Sequence, residues 1–399
     1  MLTLKHSWLL AAVACVAIIL GWSRPAHAYP WMIRHEYAGC ATCHVDPSGA
    51  GVLTAYGRAQ SAILLSSRYG APADADPGQT VDFLFGVLPA SDFLFLQGWF
   101  RNGYIWNESG GQVVDQRFLQ MVADLGADIV WKQFRAGARL GYNGFDTAVD
   151  SELAWVTPAS PAGNLVSREH WAGVSIADDS TLLRAGRINV PFGLRNIEHP
   201  SWVRSETRTD INQDQQDGVA IAYSNDWLRG ELLGIAGNYL VNPDAYRERG
   251  YAAYGEFAVL SRLAVGASSL ITHAAADVLT HEATTRQAHG LFVRAAPWHE
   301  LAFLGELDAL FTAPAGARVD AGYVGFAQAD LEPIQGVHAM VTGETVNHGA
   351  PGETTSFGEW LSAAWFTVPH VDMRFDAIRR SRSGTPTTMT YLLQLHVYL

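Results

Sequence analysis

The sequence has 399 residues, 48% of them hydrophobic, with 39 acidic and 27 basic side chains and a formal net charge of −12. Removing residues 1–28 takes away Lys5 and Arg24 and no acidic residue, so the remaining chain is more acidic still. This charge excludes a nucleic-acid-binding protein, which needs a basic surface to meet phosphates. Apart from Lys5 and Lys132, every basic residue is arginine, which keeps its charge when desolvated.

The first 28 residues are predicted to be a signal peptide. Lys5 and His6 form a short basic region, residues 8–20 are apolar, and Ala26-His27-Ala28 matches an A-x-A cleavage site. The apolar stretch is near the lower length limit for a membrane helix, and no charged anchor pattern follows it. We therefore expect the mature chain to be exported.

The two cysteines of the mature chain stand in the run Cys40-Ala-Thr-Cys43-His44. A C-x-x-C-H run attaches a c-type haem: each thiol forms a thioether, and the adjacent imidazole ligates the iron. The alternatives are a disulfide or half of a zinc site, although zinc needs two more ligands and no second cysteine pair exists. We expect one covalent haem c and one-electron chemistry.

Residues 29–70 form a segment, here called the N-terminal segment, that is too short to enclose a porphyrin alone. We expect it to dock in or under the domain that follows. Arg58 is predicted to pair with a haem propionate, the alternative being a solvated surface arginine. For the second axial ligand we expect His35 first, with Met32 and His199 as alternatives.

Residues 71–79 are rich in Pro, Gly and Asp without periodicity and are predicted to be a linker. From 80 to 399, many runs alternate apolar and polar side chains, as strands do. A soluble β-sandwich alternates too, but the charges on the polar faces favour a membrane barrel with a wet lumen. Three examples have these apolar faces: Phe134, Ala136, Ala138, Leu140 and Tyr142; Leu301, Phe303, Leu307, Ala309 and Phe311; Val371, Met373, Phe375 and Ala377.

The lengths of the connections favour the same fold. Tight links at seven places, such as Asn225-Asp226 and Pro369-His370, alternate with longer links such as 146–166, 194–214 and 240–248. We predict an all-β fold, an antiparallel outer-membrane β-barrel of 16 strands, give or take about two, with the N-terminal segment as plug. The predicted strands are 92–106, 117–131, 132–145, 167–178, 179–193, 215–225, 226–239, 249–261, 262–275, 284–297, 298–312, 318–333, 336–348, 354–368, 370–382 and 387–399.

An even strand count places the N- and C-terminal ends of the barrel together, on the periplasmic side with the tight links. The loop 194–214 is predicted either to constrict the lumen or contact an electron partner, or to be folded in and held by Arg–carboxylate pairs. Aromatic residues near strand ends predict interfacial girdles. The tryptophans assigned to these girdles are Trp99, Trp106, Trp131, Trp227, Trp298 and Trp365.

The signal peptide, the single Cys40-Ala-Thr-Cys43-His44, the following Leu53-Thr-Ala-Tyr-Gly-Arg58 and the barrel pattern together resemble the fused monohaem cytochrome–porin family. These are outer-membrane proteins best known from iron-oxidising bacteria. The resemblance implies that Cys40, Cys43 and His44 carry the haem and that the barrel lies in outer-membrane lipid. In motif it covers only residues 37–58.

Three functions remain open from the sequence. The first is an electron conduit between an extracellular donor, acceptor or metal ion such as Fe(II) and a periplasmic electron-carrier cytochrome. It includes a possible one-electron oxidoreductase activity. The second is a passive solute porin whose N-terminal segment is a plug or structural element. The third is a soluble periplasmic cytochrome rich in β-structure.

We expect the Cys40→Ala/Cys43→Ala double variant to lose covalent haem, because each thiol supplies one thioether bond. Changing His44 to Ala should disturb the absorption spectrum through the lost axial ligand. Haem staining of a denaturing gel measures attachment, with total protein staining as control. Unchanged staining of the double variant would contradict the cytochrome interpretation.

Overall fold

The computed structural model describes residues 30–37, 43–46, 49, 52–67, 83–88, 91–142, 165–177, 179–195, 198, 200–382 and 384–399. Sixteen antiparallel strands form a closed barrel in which neighbours in sequence pair and β1 pairs with β16, which confirms the predicted fold class. The strands are β1 Leu94–Ser109, β2 Gln112–Trp131, β3 Phe134–Tyr142, β4 Leu165–Ile176, β5 Thr181–Ile188, β6 Gln216–Ser224, β7 Leu228–Gly237, β8 Arg249–Leu260, β9 Leu263–Ala274, β10 Thr284–Trp298, β11 Leu301–Pro314, β12 Asp320–Ile334, β13 Val337–Asn347, β14 Ser356–Val368, β15 Val371–Ser381 and β16 Thr388–Tyr398.

Several short helices are not part of the barrel wall. They are a 3₁₀ helix Pro30–His35, α1 Ala55–Gln60 continued by a π-helical turn Ser61–Leu65, α2 Phe83–Gly86, α3 Trp202–Thr207 and a 3₁₀ helix Asp244–Tyr246. Thr54 caps α1, because its Oγ1 accepts a hydrogen bond from the Gly57 N–H at 3.1 Å. No helix in the described part of the chain is long and apolar enough to cross a membrane.

The two faces of the wall differ in chemistry. Along β14 every second side chain is buried and those between are exposed. Outward-facing Leu291 and Leu361 are 70% and 62% exposed, whereas inward-facing Asp308 and Asp330 are fully buried. Apolar side chains outside and charges inside are the pattern of a barrel that stands in lipid.

One rim carries seven tight turns, each between an even-numbered strand and the next. Each predicted tight link lies within two residues of an observed turn, and β1 begins at the same rim where β16 ends. Trp131, Trp227, Trp298 and Trp365 are exposed close to this rim, and Trp106 near the opposite one. These five positions agree with the predicted aromatic girdles.

Three expectations about the wall were wrong. Trp99 faces the lumen and lies opposite Tyr398, so it belongs to no girdle. A ten-residue link at 107–116 was expected, but β1 and β2 are joined by Gly110-Gly111 at φ +56° and +79°. Two glycines take these positive φ values without a steric cost, which allows a two-residue hairpin. Finally, β5 was expected to end at residue 193, but it ends at Ile188, and the chain turns into the lumen after Ile188.

We expect an impermeant thiol reagent on intact cells to label Ala317→Cys but not Asp226→Cys. Both side chains are exposed, the first in a longer loop and the second in a tight turn on the opposite rim. Permeabilising the outer membrane should make Asp226→Cys react, and unmodified protein reports background labelling. The reverse pattern would invert the orientation, and equal labelling in intact cells would contradict a membrane barrel.

Candidate functional site

The N-terminal segment crosses the lumen near the tight-turn rim. The Arg34 guanidinium forms ion pairs with Asp330 and Glu332 of β12, both at 3.0 Å. On the other side, Asp46 pairs with Arg184 of β5 at 2.6 Å. Because β5 and β12 stand almost opposite each other in the ring of strands, these contacts span the barrel. The expectation that the segment docks in the lumen is confirmed.

A third anchor lies where β1 meets β16. The Leu53 N–H donates to Gln97 Oε1 at 3.1 Å, and the Ser61 and Tyr398 hydroxyls are 3.0 Å apart. Arg58 donates to the Leu96 carbonyl and is only 6% exposed, so it is not a solvated surface residue. Its pairing with a propionate stays a prediction.

Cys43 and His44, the described end of the Cys40–His44 run, lie in a compact turn. The Thr54 N–H donates to the Cys43 carbonyl at 2.7 Å, and His44 forms an antiparallel bridge with Leu53. A Cβ atom on Gly57 would stand 2.3 Å from the Cys43 carbonyl oxygen, so α1 packs too closely here for any other residue. Cys40 lies outside the described residues.

Cys43 and His44 open onto a cavity between the N-terminal segment and the barrel wall. It has a volume of about 120 Å³ and is partly open to solvent. Met32, one of the predicted alternatives for the second axial position, lines the same cavity. The wall and the loop after β5 contribute Gln97, Trp99, Arg101, Val122, Asn189, Val190, Arg195, His396 and Tyr398.

The structure does not bring His35 to this cavity. Its ring packs edge-on against His299, with centroids 4.8 Å apart, and Nε2 is 3.8 Å from Glu332. Burial, with nearby His299 and Arg34, lowers the pKa of His35 to about 3, which leaves the ring neutral. His199 lies outside the described residues. His396 was not among the predicted ligands, although the alternation of β16 places it on the inner face.

Residues 189–215, here called the inner loop, fold into the lumen between β5 and β6. The Glu306 carboxylate of β11 pairs with Arg204 at 2.6 Å and accepts the Leu194 N–H at 2.9 Å. On β13, Glu344 accepts the Trp202 N–H at 2.6 Å. The prediction of a folded-in loop held by Arg–carboxylate pairs is confirmed, but these carboxylates come from the barrel wall.

Ion pairs connect the inner loop to the N-terminal segment. Asp46 binds Arg184, whose Nη2 is 2.6 Å from Glu231 Oε1, and the other oxygen of Glu231 is 2.8 Å from Arg195 of the inner loop. Burial lowers the dielectric around these charges, which strengthens their attraction and raises the cost of losing any one. The two inserts are therefore parts of one network.

Within the described ranges, no group of three or more His, Cys, Asp or Glu side chains is arranged to hold a metal ion. Among the described residues, the chemistry that this region can offer lies in Cys43, His44 and the cavity beside them. The Arg–carboxylate network fixes them in place.

The sequence matches no protein-family model and no curated protein. Among solved structures, a loop-deletion mutant of OmpT from Vibrio cholerae has a TM-score of 0.59 at 11% identity, over 77% of this chain and 99% of that one. An anion-selective porin from Comamonas acidovorans gives 0.58 at 10% identity, over 77% and 99%. The channel DcaP of Acinetobacter baumannii gives 0.51 at 10% identity, over 77% and 97%. The chain thus has the fold of outer-membrane porin barrels.

We expect Arg204→Met to destabilise the barrel, because it leaves Glu306 buried without its cation. Removing one partner of a buried pair costs about 3–5 kcal/mol. Arg379→Met is the matched control, since Arg379 and Glu359 are 3.3 Å apart with side chains 50% and 66% exposed. Thermal unfolding in detergent should show a lower midpoint for the first variant only. Equal midpoints would mean that the inner loop does not depend on this pair.

Proposed function

We propose that this protein is an outer-membrane cytochrome–porin that carries one haem c in its lumen. It moves electrons between an extracellular donor or acceptor, such as Fe(II), and a periplasmic electron-carrier cytochrome. The observation that carries the proposal is the cavity inside the barrel onto which Cys43 and His44 of the attachment motif open.

The residues around this cavity suit a haem. A porphyrin is a flat apolar disc with two carboxylates, and Leu53, Val122 and Val190 supply apolar wall. Arg101 faces the same space and has no ion pair or hydrogen bond among the described residues, so its charge is available to a propionate. Cys40 and Cys43 would attach the group and His44 would ligate it. When bound, it supplies reversible one-electron exchange.

The lumen is filled with packed side chains, which favours electron transfer over solute passage as the function. A passive porin of this size keeps a water-filled channel, lined by solvated polar side chains. Here the inward-facing Arg184, Asp308 and Asp330 are at most 1% exposed, and two inserted segments cross the interior. An electron passes through packed protein, whereas a sugar needs an open path.

A passive solute porin is the second candidate. The folds of an anion-selective porin and of an outer-membrane channel favour it. In this case the N-terminal segment serves as a plug or a structural element. The barrel fold alone does not distinguish the candidates, because both need it.

The proposed location is the outer membrane of a Gram-negative cell, with lipid on the outward face of the wall. The N- and C-termini lie in the periplasm, since tight turns face that side in such barrels. The attachment motif, next to the tight-turn rim, then lies within reach of a periplasmic cytochrome. The excess of acidic residues favours the approach of small cations such as Fe(II).

We expect haem in reconstituted vesicles to be reduced by an impermeant reductant outside, followed by reduction of a cytochrome c trapped inside. The Cys40→Ala/Cys43→Ala variant, in the same vesicles, should pass no electrons. Sugar entry, measured from the swelling of the vesicles, should be slow. If sugars pass freely and the haem is reduced only by reductant inside the vesicles, the protein is a passive porin and not an electron conduit.

A further inference from the structure

His396 lies on the inner face of β16 and lines the cavity that Cys43 and His44 also line. Only 8% of the residue is exposed. It occupies an inward position between Gln394 and Tyr398, so its ring belongs to the lumen and not to the lipid face. The motif and this histidine thus approach one cavity from different parts of the chain.

The His396 ring is held in a defined orientation. Its Nδ1 is 2.8 Å from Asp372 Oδ2, on the neighbouring position of β15. Its face packs near Tyr398, with ring centroids 5.2 Å apart. Nε2 has no hydrogen-bond partner among the described residues. An imidazole whose Nδ1 is bonded to a carboxylate is the usual arrangement of a metal-ligating histidine.

We propose that His396 would supply a second imidazole ligand to the haem, in addition to His44, with Asp372 as its positioning residue. This inference rests on the haem site proposed above. A second imidazole makes the reduction potential lower than a methionine would. The hydrogen bond to Asp372 makes the His396 ring more basic and lowers the potential further.

The other candidates are weaker. Met32 reaches the same cavity, but it is 4% exposed within an apolar cluster with Trp31, Ile33 and Leu65, and packing alone accounts for its position. His35 faces His299 away from the cavity. His396 alone combines a cavity-lining position with a ring nitrogen that is oriented and without a described partner.

The test is the absorption and electron paramagnetic resonance spectra of the purified full-length holoprotein in detergent. Wild type should be six-coordinate and low-spin. His396→Ala and His396→Gln should become mainly high-spin, and added imidazole should restore the low-spin form in His396→Ala. Met32→Ala, the matched control, should stay low-spin. Asp372→Asn should stay low-spin with a raised midpoint potential.

High-spin haem in Met32→Ala with low-spin haem in both His396 variants would overturn the proposal, as would a high-spin wild type. Heat-modifiable mobility on gels shows whether each barrel has folded, and His396→Gln keeps a polar side chain if His396→Ala does not fold. Haem staining distinguishes a failure of the proposed cytochrome function from a failure of the His396 assignment alone. Wild type without covalent haem refutes the cytochrome function itself, whereas stained protein with unaffected His396 variants refutes only this ligand.

Discussion

A ring of sixteen strands encloses more space than its own side chains can fill, and buried charges on its inner face need partners. Two inserted segments meet both demands in this barrel. The N-terminal segment supplies Asp46 to Arg184, and the inner loop supplies Arg195 to Glu231, while Arg184 and Glu231 also bind each other. The positions of Cys43, His44 and the inner loop all depend on this network.

Arginine is suited to this interior in a way that lysine is not. Its guanidinium stays charged when desolvated and presents several donors in a fixed plane, so one side chain can serve two carboxylates. Arg34 does so with Asp330 and Glu332. Within residues 29–399 the single lysine, Lys132, lies in a tight turn at the rim. The composition therefore reflects the chemistry of the lumen.

Strand positions were predictable because alternation of apolar and charged residues is a local signal, as in β11 and β15. The cysteine–histidine motif was equally local. Contacts across the lumen were not predictable, since Arg204 meets Glu306 at a separation of 102 residues. Trp99 was misplaced because it was assigned from its nearness to a strand end alone, although it alternates in phase with Gln97 and Arg101, which also line the lumen. The role of His396 could not be predicted, because it depends on the contact with Asp372 on the adjacent strand.

The surface that receives the N-terminal segment includes the seam between the first and last strands. Gln97 of β1 and Tyr398 of β16 both form hydrogen bonds with the segment, so this binding surface is complete only after the barrel has closed. The N-terminal segment precedes the strands in the chain but can dock only after the strands have paired. Until then Cys43 is accessible, whereas in the closed barrel it is only 4% exposed. A chain truncated in its last strand would lack part of the surface that binds the N-terminal segment.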